Sequence, residues 1–144
     1  MDERIKAHLQ YLNKYYLLLL EARKVPYDEF VDNALHYGST ERFFHLAIES
    51  CLNIGNRLIA LYQFNKPVDT PDTYADIFKE MNRLGAVDDG FLERLVQMAK
   101  FRNRLVHLYW ELDRETIYSF LQNNLEDFKL FQQKVVEFLN KNKL

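Results

Sequence analysis

The segment Lys100–Trp110, K-F-R-N-R-L-V-H-L-Y-W, gathers residue types that can act on a phosphodiester. His107 carries an imidazole, which exchanges protons near neutral pH. It lies within a local group of cations, which attract phosphate: Lys100, Arg102 and Arg104. An imidazole beside cations suits cleavage of RNA through the ribose 2′-hydroxyl, because that reaction needs a base and charge stabilisation but no metal ion.

Each of these residues also has a structural interpretation. Arg102 alone would be a structural arginine paired to a carboxylate, and His107 alone a surface histidine or a hydrogen-bonded one. Arg102 and Asn103, however, interrupt two apolar stripes of one predicted helix. Polar groups at such positions are costly unless they are hydrogen-bonded or partly open to water. A functional site is the interpretation that accounts for the arginine, the amide and the histidine together.

The helix that positions these residues is predicted from Asp88, its cap, to about Tyr109. Its two adjacent stripes recur at helical spacing: Phe91, Leu95, Met98, Arg102, Leu105 and Tyr109 in one, and Leu92, Val96, Ala99, Asn103, Val106 and Trp110 in the other. On an ideal helix Arg102 and His107 lie roughly 140° apart. Either the helix distorts before His107, or two copies of it face each other across a two-fold axis and combine their residues.

The remaining hydrophobic spacing predicts helices and no β-strand. The expected helical ranges are 2–24, 28–37, 39–64, 71–84 and 115–142, the last as one long helix or two. Gly38 and Gly85 are expected to end the second and fourth of these helices, and Ser39 or Thr40 to cap the third. The third is apolar over most of its circumference, so it is expected to be central in a bundle or shared between subunits. The chain is predicted to be an all-α, up-and-down bundle of about five to seven helices in a single domain, 1–144.

Composition excludes several classes of protein. The net charge of −2 argues against a basic coat for nucleic acid, so any RNA contact would be a local patch. Cys51 is the single cysteine, and the four histidines show no ligand spacing, so we expect no disulfide, no metal site and no cofactor. The charged N-terminus and short apolar runs indicate neither a signal peptide nor a membrane span, and hence a cytoplasmic protein.

Two stretches carry a family resemblance. The sequence R-N-R-L-V-H-L-Y, from Arg102 to Tyr109, resembles the R-x-x-x-x-H-x-Y signature of HepT-like toxins of the HEPN superfamily. The stretch E-R-F-F-H-L-A-I-E-S-C-L-N-I-G-N-R-L-I, from Glu41 to Ile59, is similar to the long central helix of that family. Helix count, chain length and motif position fit along essentially the whole chain.

The resemblance implies an all-α homodimer whose paired motifs line a cleft and act as a metal-independent endoribonuclease. Arg102 and His107 would be the catalytic pair, with Arg102 on the scissile phosphate and His107 as base or acid. Asn103 would orient His107 or bind RNA. The resemblance also implies a neighbouring antitoxin, an MntA-type minimal nucleotidyltransferase, that transfers AMP to Tyr109. Contacts of Lys100 and Arg104 with the RNA backbone are inferred from their charge and proximity alone.

Three interpretations stay open at the level of sequence. The first is the RNA-cleaving toxin. The second is a non-catalytic helical module that binds nucleotides or serves as partner subunit of a nucleotidyltransferase. The third, a purely structural dimerisation domain, leaves Arg102 and Asn103 unexplained.

Overall fold

The computed structural model describes residues 1–63, 71–107 and 114–143, with the side chains of Val106 and His107 also outside the description. Those ranges form seven α-helices and contain no β-strand. The helices are α1 (Glu3–Ala22), α2 (Tyr27–Asp32), α3 (Ala34–Tyr62), α4 (Tyr74–Leu84), α5 (Asp89–His107), α6 (Arg114–Asn123) and α7 (Glu126–Lys141). The predicted all-α class is confirmed, and α6 and α7 are separate helices. No helix in these ranges is both long enough and apolar enough to cross a membrane.

The long helix α3 is the centre of the bundle, as its composition predicts. It packs against each of the other six helices. Its buried apolar side chains point in several directions around the axis: Phe44, Ala47, Ile48, Cys51, Leu52, Ile54, Leu58, Ile59 and Tyr62. The same core receives α5 through Phe91, Leu95, Met98 and Phe101. The helix α3 therefore provides the surface against which α4 and α5 are placed.

Local capping explains where several helices begin and end. Asp88 Oδ1 accepts a hydrogen bond from Phe91 N at 2.8 Å, which confirms the predicted cap of α5. The α4 helix begins later than predicted, because Thr73 and Asp76 form a reciprocal capping box in front of it. Gly85 ends α4 in the left-handed conformation, with φ of 90°, as expected for a glycine at that position.

The boundary between α2 and α3 differs from the sequence prediction. Gly38, expected to end a helix, lies inside α3, and Leu35, in the first turn of that helix, is 79% exposed. Asn33 is the effective cap, since its Oδ1 accepts a hydrogen bond from Leu35 N at 2.9 Å. A glycine inside a helix costs about 1 kcal/mol relative to alanine, and the packing of the rest of α3 outweighs that cost.

Helices α3 and α4 approach each other closely at Gly55. A Cβ atom at this position would lie 2.5 Å from Ile77 Cγ2 and 3.0 Å from Met81 Sδ. Only glycine leaves room for this contact without a shift of the neighbouring side chains. The contact sets the position of α4. This helix begins with Tyr74, whose ring contacts Arg102.

Candidate functional site

Arg102 is buried between α3, α4 and α5, and only 7% of it is exposed. Its Nε and Nη2 atoms donate hydrogen bonds to Glu49 Oε1 at 2.9 and 2.5 Å. The guanidinium carbon lies 4.1 Å from the centre of the Tyr74 ring, in a cation–π contact. The third nitrogen, Nη1, is buried and has no hydrogen-bond partner among the described residues. Arg102 therefore has a fixed orientation and one unused donor.

His45 extends this cluster along α3. Its Nε2 atom lies 3.5 Å from Glu49 Oε1, and its Nδ1 atom lies 3.4 Å from Arg42 Nη1. Burial lowers the pKa of His45, with Arg102 and Arg42 acting in the same direction and Glu49 in the opposite one. A neutral ring that donates from Nε2 to Glu49 and accepts at Nδ1 from Arg42 agrees with this geometry. The cluster thus joins two arginines, one carboxylate and one imidazole.

Asn103 faces away from that buried cluster, as the next residue on a helix must. It is exposed, and it lines an open cleft of about 620 Å³. Asn56, Tyr74 and Ile77 line the same cleft, together with Pro71–Thr73. The two polar residues that interrupt the apolar stripes therefore avoid the cost of burying an unpaired polar group. Arg102 is hydrogen-bonded, and Asn103 is open to water.

The other predicted site residues are placed only in part. Lys100 and Arg104 are exposed on α5, whereas Arg102 is buried, so a cationic patch that joins all three stays a prediction. His107 is the last described residue of α5, and its side chain lies outside the description, so its meeting with Arg102 stays a prediction. Tyr109 lies outside the described residues altogether.

Glu49, His45 and Tyr74 were not predicted from the sequence as site residues. The available signal was Arg102 itself, because a buried arginine requires a carboxylate. Glu49 belongs to the narrow polar strip of α3, but 53 residues separate it from Arg102. Helical spacing relates residues one turn apart, so it could not choose Glu49 among the carboxylates of other helices.

Metal-ligand chemistry finds little support in the described ranges. They contain no group of three or more histidine, cysteine, aspartate or glutamate residues that could hold a metal ion. Cys51 is fully buried in the core, where desolvation raises the pKa of its thiol. The polar groups that the described residues offer for chemistry are the guanidinium of Arg102, the imidazole of His45, the amide of Asn103 and the carboxylate of Glu49.

Comparison with known proteins gives one consistent result. The family described as Ribonuclease HepT-like matches residues 5–135. A tRNA nuclease HepT from Aphanizomenon flos-aquae (strain 2012/KM1/D3) is 18% identical over 135 residues, which cover 94% of this chain and 89% of that protein.

Solved structures show the same fold. The tri-AMPylated HEPN toxin of Shewanella oneidensis, in complex with an MNT antitoxin, superimposes with a TM-score of 0.83 at 20% identity, covering 95% of this chain and 98% of that one. YutE of Bacillus subtilis, a cytosolic protein of unknown function, has a TM-score of 0.75 at 18% identity, covering 94% and 91%. At these identities the structural likeness establishes the fold alone.

Proposed function

The chain belongs to the HepT-like ribonuclease family of the HEPN superfamily, and from that premise we propose that it is the RNA-cleaving toxin of a toxin–antitoxin pair. The observation that carries the proposal is the arrangement of Arg102. An arginine anchored by Glu49 and Tyr74, with one nitrogen left without a partner, is a prepared site for a phosphate oxygen.

The proposed reaction is attack of the ribose 2′-oxygen on the neighbouring phosphorus. A base, assigned to His107, removes the 2′-hydroxyl proton while the new O–P bond forms. The bond from phosphorus to the 5′-oxygen breaks, and that oxygen leaves with a proton. The products are a 2′,3′-cyclic phosphate and a 5′-hydroxyl, so no metal ion or oxidant is required.

Arg102 would stabilise the charge that develops on the phosphate. Glu49 occupies Nε and Nη2, so Nη1 is the donor available to a phosphate oxygen. Because Nη1 is covered in the isolated chain, we expect a neighbouring side chain to move and uncover it when RNA binds, while Arg102 stays anchored. Asn103, Lys100 and Arg104, all exposed on α5, would contact the RNA beside that point.

The proposed assembly is a two-fold homodimer, in which the motifs of two α5 helices line one cleft. The proposed partner is an MntA-type nucleotidyltransferase that neutralises the toxin by transferring AMP to Tyr109. Support comes from the structural neighbour described above, which is an AMPylated toxin bound to an MNT antitoxin. Added phosphate would bring negative charge to a surface that must receive RNA phosphate.

Purified protein incubated with a tRNA pool tests the activity. His107→Ala and Arg102→Ala are each expected to lower the cleavage rate at least about 100-fold. His8→Ala is the matched control, because His8 lies on α1, far along the chain from the motif, and this variant should cleave like the wild type. The 5′ fragments should end in 2′,3′-cyclic phosphate, and EDTA should not change the rate.

Two outcomes would contradict the proposal in different ways. Loss of cleavage in EDTA, restored by a divalent ion, would refute the metal-free mechanism. A wild type that binds the nucleotidyltransferase but leaves RNA intact would favour the non-catalytic partner subunit.

A further inference from the structure

The open cleft beside Arg102 is bounded by three helices. Asn56 comes from α3, Asn103 from α5, Tyr74 from the beginning of α4, and Asp72 from the segment just before α4. Its volume of about 620 Å³ lies within the range of sites that hold small molecules.

The described residues of the cleft do not suit a phosphate. Among them Asp72 is the charged residue, and none is a lysine or an arginine. The amides of Asn56 and Asn103 are exposed and have no hydrogen-bond partner among the described residues. Thr73 Oγ1 accepts a hydrogen bond from Asp76 N, which leaves its hydroxyl proton free to donate. Amides, a hydroxyl, a carboxylate and a ring together suit the edge and face of a nucleobase.

The cleft is also in the correct place for a base. Asn103 follows Arg102 directly, and Tyr74 both lines the cleft and contacts the Arg102 guanidinium at 4.1 Å. The guanidinium holds the tyrosine ring in a fixed orientation. A nucleotide whose phosphate approaches Arg102 therefore has its base, or that of its neighbour, within reach of the cleft.

We propose that this cleft is a base-recognition subsite that takes a single-stranded nucleotide next to the scissile phosphate and favours adenine or cytosine. Both bases carry an exocyclic amine beside an unprotonated ring nitrogen. An asparagine amide matches that pair with one acceptor and one donor, and Asp72 accepts from a second amine hydrogen. On the Watson–Crick edge, uracil lacks the amine, and guanine presents the protonated ring nitrogen N1 beside its amine. The inference rests on the proposed ribonuclease function and adds a base preference to the proposed cleavage.

Cleavage of a single-stranded RNA pool with randomised nucleotides tests the subsite. Sequencing of the products should show that the wild type prefers adenine or cytosine at one position flanking the cut. Asn56→Ala should lower that preference about tenfold, the loss expected for one base contact. Asn53→Ala is the matched control, since Asn53 is an exposed asparagine on α3 that does not line the cleft. It should retain the preference, and an identical pattern in both variants would overturn the inference.

Direct binding separates this inference from the proposed function. The ¹⁵N side-chain amides of Asn56 and Asn103 can be observed by NMR while AMP, CMP or UMP is added. Shifts of both amides with AMP and CMP, and much smaller ones with UMP, support the subsite even if the wild type cleaves no RNA. Amides that respond to none of the three nucleotides would overturn the subsite and leave the nuclease proposal standing on its own test.

Discussion

Arg102 of α5 and Glu49 of α3 form a two-point ion pair, in which two guanidinium nitrogens donate to the same carboxylate oxygen at 2.9 and 2.5 Å. The side chain of Arg102 is 8% exposed, whereas that of Glu49 is 30% exposed. The pair therefore lies at the edge of the core, with its arginine inside and its carboxylate partly in water. One arginine consequently serves both the packing of the helices and the candidate site.

Glu49→Gln is expected to lower the free energy of unfolding by about 2 kcal/mol, because it leaves the buried Arg102 charge without a counter-charge. The partial exposure of Glu49 keeps the expected loss below that of a fully buried pair. Urea unfolding at neutral pH measures this free energy. Glu93→Gln, a substitution at an exposed position on α5, should change the free energy of unfolding little. A double variant, Glu49→Met with Arg102→Met, should be less destabilised than the sum of its single variants. Simple additivity would show that the pair contributes no coupling.

A second prediction concerns the approach of α4 to α3. Gly55→Ala should destabilise the protein by about 1–3 kcal/mol, since its Cβ would overlap Ile77. Gly38→Ala is the matched control, because Gly38 lies in the same helix and nothing is within 4 Å of its would-be Cβ. It should stabilise by about 0.5–1 kcal/mol through helix propensity. Equal effects of the two substitutions on the melting temperature would contradict the close approach.

Much of the fold could be predicted from the sequence, whereas the partners of the site could not. The apolar circumference of α3, the cap at Asp88 and the glycine at the end of α4 are local signals, and the structure confirms all three. The start of α3 was wrong because Asn33 offers a cap that competes with Ser39 and Thr40, and tertiary packing decides between them. The Glu49–Arg102 pair joins distant parts of the chain, so spacing alone could not predict it.

The lowered pKa of His45 predicts a pH dependence of stability. Burial lowers the pKa of His45 from its ordinary 6.5, so the unfolded chain takes up a proton at higher pH than the folded chain does. The stability associated with the neutral ring is fully present above pH 6.5, the pKa of the unfolded chain. It is lost as the pH falls from there towards the lower pKa of the folded chain. The free energy of unfolding should fall less between about pH 7.5 and about pH 5.5 in His45→Gln than in the wild type. The same loss in both proteins would contradict the assignment, as would an NMR titration that places the His45 pKa at its ordinary value.

The proposed homodimer predicts a surface that a charge would disrupt. Val96 is half-buried on α5, next to the exposed Gln97, and it belongs to the stripe that continues to Asn103. The wild type should sediment as a dimer at micromolar concentration. Val96→Glu should weaken the dimer, because it places a charge on an apolar face, whereas Gln97→Glu adds the same charge at an exposed neighbour and should not. A monomeric wild type would refute the dimer. Equal sedimentation of the two variants would show that the interface does not include the stripe of Val96.

The control of the toxin predicts a covalent change at Tyr109. Tyr109 is two residues beyond the last described residue of α5 in the sequence, so we expect AMP attached there to bring phosphate close to the cationic residues of that helix. Co-expression with the proposed MntA-type nucleotidyltransferase, followed by intact mass and peptide mapping, should reveal a gain in whole AMP units on Tyr109. Tyr109→Phe should abolish the gain. Tyr11→Phe is the matched control, because Tyr11 is a 53% exposed tyrosine on α1 and its removal should leave the modification intact. A tight complex in which Tyr109 carries no AMP would mean that the antitoxin acts by covering the cleft, and the assigned role of Tyr109 would be wrong.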